Sequence, residues 1–301
     1  MALWIPITLL AAFLQNLRSA AQKHLKAAMG TTGATFVRFG FGLPFALVFL
    51  SLLLVTGDRS LPVPDLRFYS FATLGAFAQI AGTFLLIYLF SFRNFAVGTA
   101  YSRTEPAQAA LFGLIFLSEG VSIGALTAIA ISVLGVMLIS IAHLKMSARN
   151  LLASVLAPNA LLGLASGMAF GVSAVSYRAA SLSLGGPDFM TQAALTLVAA
   201  LVVQVTAMGL WMLWRERGEF ARIARAWRVS LLAGAAGATA SFCWFMAMTL
   251  QNAAVVKALG QIEMLFTFAA TVFFFREKIT GREIAGCLLI SLGIVVLLFL
   301  G

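Results

Sequence analysis

Residues 94 to 135 recur at 252 to 293 in unbroken register. A shift of 158 brings Asn94 onto Asn252, Ala96 onto Ala254, Val97 onto Val255, Glu105 onto Glu263, Phe116 onto Phe274, Glu119 onto Glu277 and Gly135 onto Gly293. Two of these pairs are carboxylates inside apolar runs. A chain that carries one segment twice must find two equivalent settings for it. The repeat therefore constrains the architecture before any other motif is read.

Composition supplies the setting. The chain is 61% apolar and only 10% charged, with mean hydropathy +1.01. These values lie far outside the range of soluble domains, and a bilayer is the solvent that suits them. The net charge of +10 does not signal nucleic acid, because the basic residues sit in short loops between apolar runs, as they do when Lys and Arg orient a membrane protein. Cys243 and Cys287 lie in apolar segments without CxxC spacing and read as packing residues. His24 and His143 are far from any Cys or second His, so neither a metal site nor a cofactor is expected.

A helix needs about 20 apolar residues to cross the hydrocarbon. Ten runs qualify: 3–25, 33–56, 68–91, 95–117, 122–143, 158–182, 188–214, 229–250, 253–275 and 282–300. Between them lie turn-forming and charged stretches such as Gly57-Asp58-Arg59, Gly185-Gly186-Pro187-Asp188 and Arg215 to Arg228. The first run carries Gln15, Asn16 and Arg18 and no small-residue cleavage site, so it reads as a helix and not a signal peptide. The repeat gives five runs per half, with the fourth and fifth matching the ninth and tenth. Further matches are weaker: Thr83-Phe84 against Ser241-Phe242, and Lys23 against Arg178 with a small shift. An odd number of crossings makes the halves enter the membrane in opposite directions. The expectation is an all-α membrane protein of ten transmembrane helices in two inverted five-helix repeats, 1–146 and 147–301. Thirteen Lys and Arg residues fall at one end of this arrangement, among them Lys23, Arg215 to Arg228 and Arg282. Only Arg59, Arg67 and Arg178 fall at the other. The charge rule places the larger set in the cytoplasm and both termini outside.

The polar residues inside the runs are the candidate site. Glu105 and Glu263 sit near the middle of their runs. A lone carboxylate there costs about 2.5–3.5 kcal/mol on insertion scales, so each needs a partner, a wet cavity or a proton. Their equivalent positions favour substrate binding or proton coupling over a structural hydrogen bond. Tyr101, Glu105 and Gln108 share one helical face, and Arg103 points nearly the other way. In the ninth run Lys257 and Gln261 share one face, while Glu263 lies on another. Both helices are thus polar on two sides, and which side meets a cavity stays open. Pro106 frees the carbonyl of Ser102 to meet a ligand or a neighbouring helix. Gln15, Arg18, Ser19 and Gln22 form one stripe on the first run. Arg18 lies too deep to snorkel; Arg38 either snorkels or joins a cavity. Gln79, Tyr88, Tyr177 and Trp244 are lesser candidates, with Trp244 free to stack on a ring or simply pack. Gly163, Gly167 and Gly171 form a double GxxxG for close helix contact, and Gly234 and Gly237 a similar patch. Arg18, Arg38, Arg103 and Lys257 stand against Glu105 and Glu263, an excess of two positive charges that prefers an anion or a zwitterion.

Pro106-Ala107-Gln108-Ala109-Ala110 through Phe116-Leu117-Ser118-Glu119 and Gly135-Val136-Met137-Leu138, with Phe273 to Glu277 and Gly286 to Gly293 in the second half, carry a family resemblance. The chain resembles the drug/metabolite transporter superfamily in its EamA-type branch, over nearly its whole length. The resemblance implies a substrate cavity enclosed by helices 1–4 and 6–9, with helices 5 and 10 at the periphery. It implies alternating access and usually export of metabolites, amino acids or drugs. It makes Glu119 and Glu277 structural residues at hairpin ends, and makes Arg38 a basic residue common at the start of helix 2. The sequence departs from the family by carrying Met264 where a proline is frequent, and by a charge pattern that puts the termini outside. The expected protein is a secondary transporter in a bacterial inner membrane. It would exchange contacts with a small-molecule substrate, the lipid bilayer and, in one version, protons as coupling ion. Its oligomeric state is left open. A flippase for a lipid-linked intermediate is the alternative. No catalytic His/Asp/Glu spacing suggests an enzyme, and no Walker motif suggests ATP as the power source.

Overall fold

Polar caps fix where the helices begin. Asp65, Asp188 and Asn252 each accept a hydrogen bond from the first turn that follows them: from Phe68 N at 2.7 Å, Met190 N at 3.2 Å and Ala254 N at 2.9 Å. Thr280 and Glu283 form a reciprocal capping box on the last helix. The computed structural model describes residues 2–57, 61–92, 95–140, 157–186, 188–273 and 280–301. In chain order these form α1 (Trp4–Leu25), α2 (Thr31–Gly40), α3 (Gly42–Thr56), α4 (Leu66–Leu89), α5 (Phe95–Ser102), α6 (Glu105–Leu117), α7 (Ile123–Ser140), α8 (Pro158–Ser183), α9 (Phe189–Arg215), α10 (Gly218–Arg225), α11 (Trp227–Leu250), α12 (Ala253–Leu259), α13 (Glu263–Phe273) and α14 (Gly281–Leu300), with a 3-10 turn at Gly260–Ile262 between α12 and α13. The expected boundary at 146/147, and Asn94, Phe274 and Glu277 of the repeat, lie outside the described residues.

Among the described residues, seven helical segments are long and apolar enough to cross a membrane, with α2 and α3 counted as one. Three of the ten expected runs are not in this set, for physical reasons. The first forms α1, whose polar stripe lowers its hydropathy. The fourth breaks at Arg103-Thr104 into α5 and α6, because Pro106 cannot donate to Ser102. The ninth tightens into the 3-10 turn ahead of Glu263. Repeat-equivalent glutamates thus start α6 and α13, each just past an interruption. Leu47, Leu52, Leu114, Ile115, Leu288 and Leu292 are exposed on the outer surface. An apolar exterior of this extent matches lipid.

Packing follows the repeat. α4 packs on α8, and their counterparts α11 and α1 pack on each other. α7 packs on its own counterpart, α14. There a Cβ on Gly135 would come 2.7 Å from the Gly286 carbonyl, and one on Gly286 would come 2.6 Å from that of Gly135. α5 and α6 lie on α8 along the glycine stripe: Gly163 faces the Gly98 carbonyl, Gly167 the Ser102 carbonyl and Gly171 the Ala109 amide. The carbonyl that Pro106 frees is thus met by a neighbouring helix. The Asn252 amide, just before α12, donates to Glu119, just after α6, at 3.1 Å. The end of α6 and the start of α12 therefore meet, and the repeated segments run in opposite senses. Midway, Gln261 Nε2 donates to the Arg103 carbonyl at 3.1 Å. These residues are themselves repeat-equivalent, so the pseudo-two-fold axis passes between them.

Candidate functional site: a charged cavity at the repeat axis

The two interruptions face one cavity of about 60 Å³. Its walls come from α1, α2, α4, α5, α8, α11 and the inner ends of α6, α12 and α13, and among the described residues none comes from α7 or α14. On a continuous helix Arg103 and Glu105 would diverge. The break at Thr104 turns both into the cavity, and the 3-10 turn does the same for Lys257 and Glu263.

The charges pair across the axis. Lys257 Nζ meets Glu105 Oε1 at 2.9 Å and also sits 4.5 Å from the centre of the Trp244 ring. Arg103 forms an ion pair with Glu263. Glu263 is further held by the Gln15 side-chain amide, which donates to it at 2.7 Å, and Trp244 Nε1 donates to the Gln15 carbonyl oxygen at 3.0 Å. Each carboxylate is thus matched by a cation of the other half. Arg38 donates to Thr83 Oγ1 at 3.1 Å and to Ser241 Oγ at 3.4 Å. These two hydroxyls are repeat-equivalent, so Arg38 also sits near the axis, inside the protein and not at the interface. Arg18 donates to Ser19 Oγ at 3.2 Å. Gly237 makes room for both arginine stems. Arg18 Cδ and Arg38 Cγ lie 3.3 and 3.4 Å from where its Cβ would be.

Of the residues singled out from sequence, Gln15, Arg18, Ser19, Arg38, Gln79, Arg103, Glu105, Tyr177, Trp244, Lys257 and Glu263 line this cavity. Four others lie elsewhere. Gln22 is buried and donates to the Ala34 carbonyl at 2.9 Å, tying α1 to α2. Tyr88 is 41% exposed and stacks along Phe84 on the outer face of α4. Tyr101 is buried beside the cavity wall without lining it. Gln261 Nε2 makes the axis bond to the Arg103 carbonyl, outside the cavity lining. Sequence reasoning missed Gln204. Its amide donates to Tyr177 Oη at 3.0 Å and to Gln79 Oε1 at 2.8 Å, and so positions two wall residues. A lone amide deep in the seventh run was the available signal. Ser102, Ser173, Ser241 and Phe170 also line the cavity.

Beyond the cavity, each end is tied by a carboxylate. Arg178 holds Glu119 through two nitrogens, at 2.8 and 3.0 Å to Oε1, and its third nitrogen donates to the Gln251 carbonyl at 2.8 Å. Glu119, at its hairpin end, therefore has an arginine partner. At the other end, Glu219 of α10 accepts from the Gly30 amide at 2.9 Å, and Glu216 accepts from Thr32 Oγ1 at 3.1 Å. The loop after α9 is thereby pinned over the start of α2.

No curated protein sequence matches the chain. A solved structure titled only "Crystal structure of protein" is similar over 99% of this chain and 96% of its own, with a TM-score of 0.70 and 16% identity. At that identity the likeness speaks for the fold alone. The profile of the EamA-like transporter family matches residues 2–141 and again residues 158–299, one copy in each half. The chain belongs to the EamA-like transporter family, as an integral, multi-pass membrane protein built of two such repeats.

Proposed function

We propose that this protein carries a small anionic or zwitterionic, amino-acid-like metabolite across a bacterial inner membrane by alternating access. In this reading its ten spans form two inverted five-helix repeats, divided near residues 146 and 147, and transport runs outward, as the family resemblance implies. The observation that carries the proposal is the gathering of six charged side chains, four cationic and two anionic, in one cavity between the halves. Such groups are costly inside a membrane and mark a solute pathway. The cavity is too small for a metabolite, since ligand sites occupy roughly 300–1,000 Å³. The helices must part to admit one. The glycine contacts of α8 and the carboxylate ties at both ends are surfaces on which such rocking can act. Glu105 and Glu263 are the carboxylates that line the cavity among the described residues, so proton coupling would run through them.

The flippase reading draws on a second feature, an apolar groove of about 560 Å³ between α4 and α9, lined by Phe77, Ile80, Phe84 and Trp211. It shares no lining residue with the charged cavity, and a lipid-linked substrate needs the two joined. The experiment is reconstitution of the purified protein in liposomes, with flux of labelled amino acids and organic acids measured beside movement of a fluorescent phospholipid. Solute flux without lipid movement supports the transporter; lipid movement without solute flux overturns it.

A further inference from the structure

We infer that Arg18 and Arg38 form an anion subsite whose ligand is a small organic dianion. The inference rests on the transporter reading and narrows its substrate class. Both side chains line the cavity, at 6% and 5% exposure. The remaining cations there already have carboxylate partners: Lys257 has Glu105 and Arg103 has Glu263. Among the described residues the hydrogen bonds of Arg18 and Arg38 go to the neutral hydroxyls of Ser19, Thr83 and Ser241. Arg38 also lies over the Phe39 ring, and the carboxylate that acts on both, Glu105, is in direct contact with Lys257 instead. Arg18 Nε has no hydrogen-bond partner at all.

Buried charges are normally paired, since desolvation otherwise outweighs what holds them. A lysine could relieve the imbalance by releasing a proton. A guanidinium cannot, because it stays charged at any pH a cell meets. The counter-charge must therefore arrive with the ligand. Four cations against two carboxylates leave an excess of two, so a ligand with two negative charges neutralises the cavity. A monoanion leaves one charge uncompensated, and a zwitterion leaves both. The geometry suits such a ligand. The two stems pass Gly237 side by side and both residues line the same cavity, and a planar guanidinium fork is matched to the paired oxygens of a carboxylate or phosphate. The neighbouring hydroxyls can turn to donate to the same group.

The test uses the full chain, purified and reconstituted, with four probes of similar size: succinate as dicarboxylate, glycerol 3-phosphate as phosphomonoester, butyrate as monoanion and glutamine as zwitterion. Binding is read by calorimetry and exchange by counterflow in liposomes. The expected result is that one of the two dianions, which also tells carboxylate from phosphate, binds about ten-fold or more tightly than butyrate and glutamine. Arg18→Gln and Arg38→Gln remove one charge each and should narrow that preference or reverse it toward butyrate, a change that loss of packing alone does not produce. Gly237→Val crowds both stems while keeping every charge, and should weaken all anions together. Tighter binding of butyrate or glutamine by the wild type, or no binding of either dianion, overturns the inference. An unchanged order of preference in the folded Arg→Gln variants also overturns it. Dianion binding without exchange would support the subsite and count against the transporter reading.

Discussion

Replacing Lys257 with methionine tests whether the charges that cross the repeat axis are coupled. The variant removes the cation from Glu105 and keeps an unbranched chain over the Trp244 ring, where a thioether packs well. Breaking one side of a fully buried ion pair costs about 3–5 kcal/mol when the other charge is left alone, and less for Glu105, on which Arg18, Arg38 and Arg103 also act. Here the side chains keep 15% and 19% of their exposure, and the cavity has room for a few waters. Both soften the penalty to roughly 2 kcal/mol. Adding Glu105→Gln removes the stranded carboxylate, so the double variant should regain more than half of that loss. The assay is equilibrium unfolding in mixed micelles, run as a double-mutant cycle on wild type, both single variants and the double. A double variant whose loss equals the sum of the two single losses would refute the coupling and leave the 2.9 Å contact without energetic meaning.

Three further outcomes are expected. Glu105→Gln and Glu263→Gln should each cut solute flux in liposomes, and the variant of the proton-carrying residue should lose the pH dependence of flux; wild-type rates in both would reduce these residues to structural hydrogen-bond partners. Gly167→Leu should destabilise the fold by about 1–3 kcal/mol in the same unfolding assay, because its Cβ would come 2.8 Å from the Ser102 carbonyl; no change would mean that α8 and the broken helix are not pressed together. A single cysteine placed at Gly218, in a background lacking Cys243 and Cys287, should resist an impermeant thiol reagent in intact cells and react in inverted vesicles; the opposite pattern would reverse the orientation read from the basic residues.

Much of the cavity lining was legible because membrane burial makes polar residues conspicuous. The 158-residue shift placed Glu105 opposite Glu263, and the first stripe placed Gln15 and Arg18 on one wall. Even the pairing of Thr83 with Ser241 in the sequence repeat has a physical counterpart, since Arg38 binds both. Facing was less legible. Regular helical spacing separates Arg103 from Glu105, and only the break at Thr104 reunites them. Pro106 announces that a hydrogen bond is missing but not how far the chain turns there. Tyr88 looked like a cavity residue because its ring carries a hydroxyl, yet a tyrosine near a helix end can sit equally well at the lipid surface. The Arg178–Glu119 tie joins residues 59 positions apart, and no local pattern encodes a contact of that kind.

The central claim, that the cavity at the repeat axis is the transport path, is tested by blocking it. Ser173 lines the cavity from α8 and is buried. Ser173→Cys, made with Cys243 and Cys287 replaced by alanine, supplies one thiol inside the proposed path. The protein is reconstituted, treated with a small negatively charged methanethiosulfonate reagent, and assayed for flux of the solute it moves best, with the extent of modification read by mass spectrometry. The account predicts that modification abolishes flux, that saturating solute slows the modification, and that reducing the mixed disulfide restores transport. Full flux through protein modified to completion would contradict it.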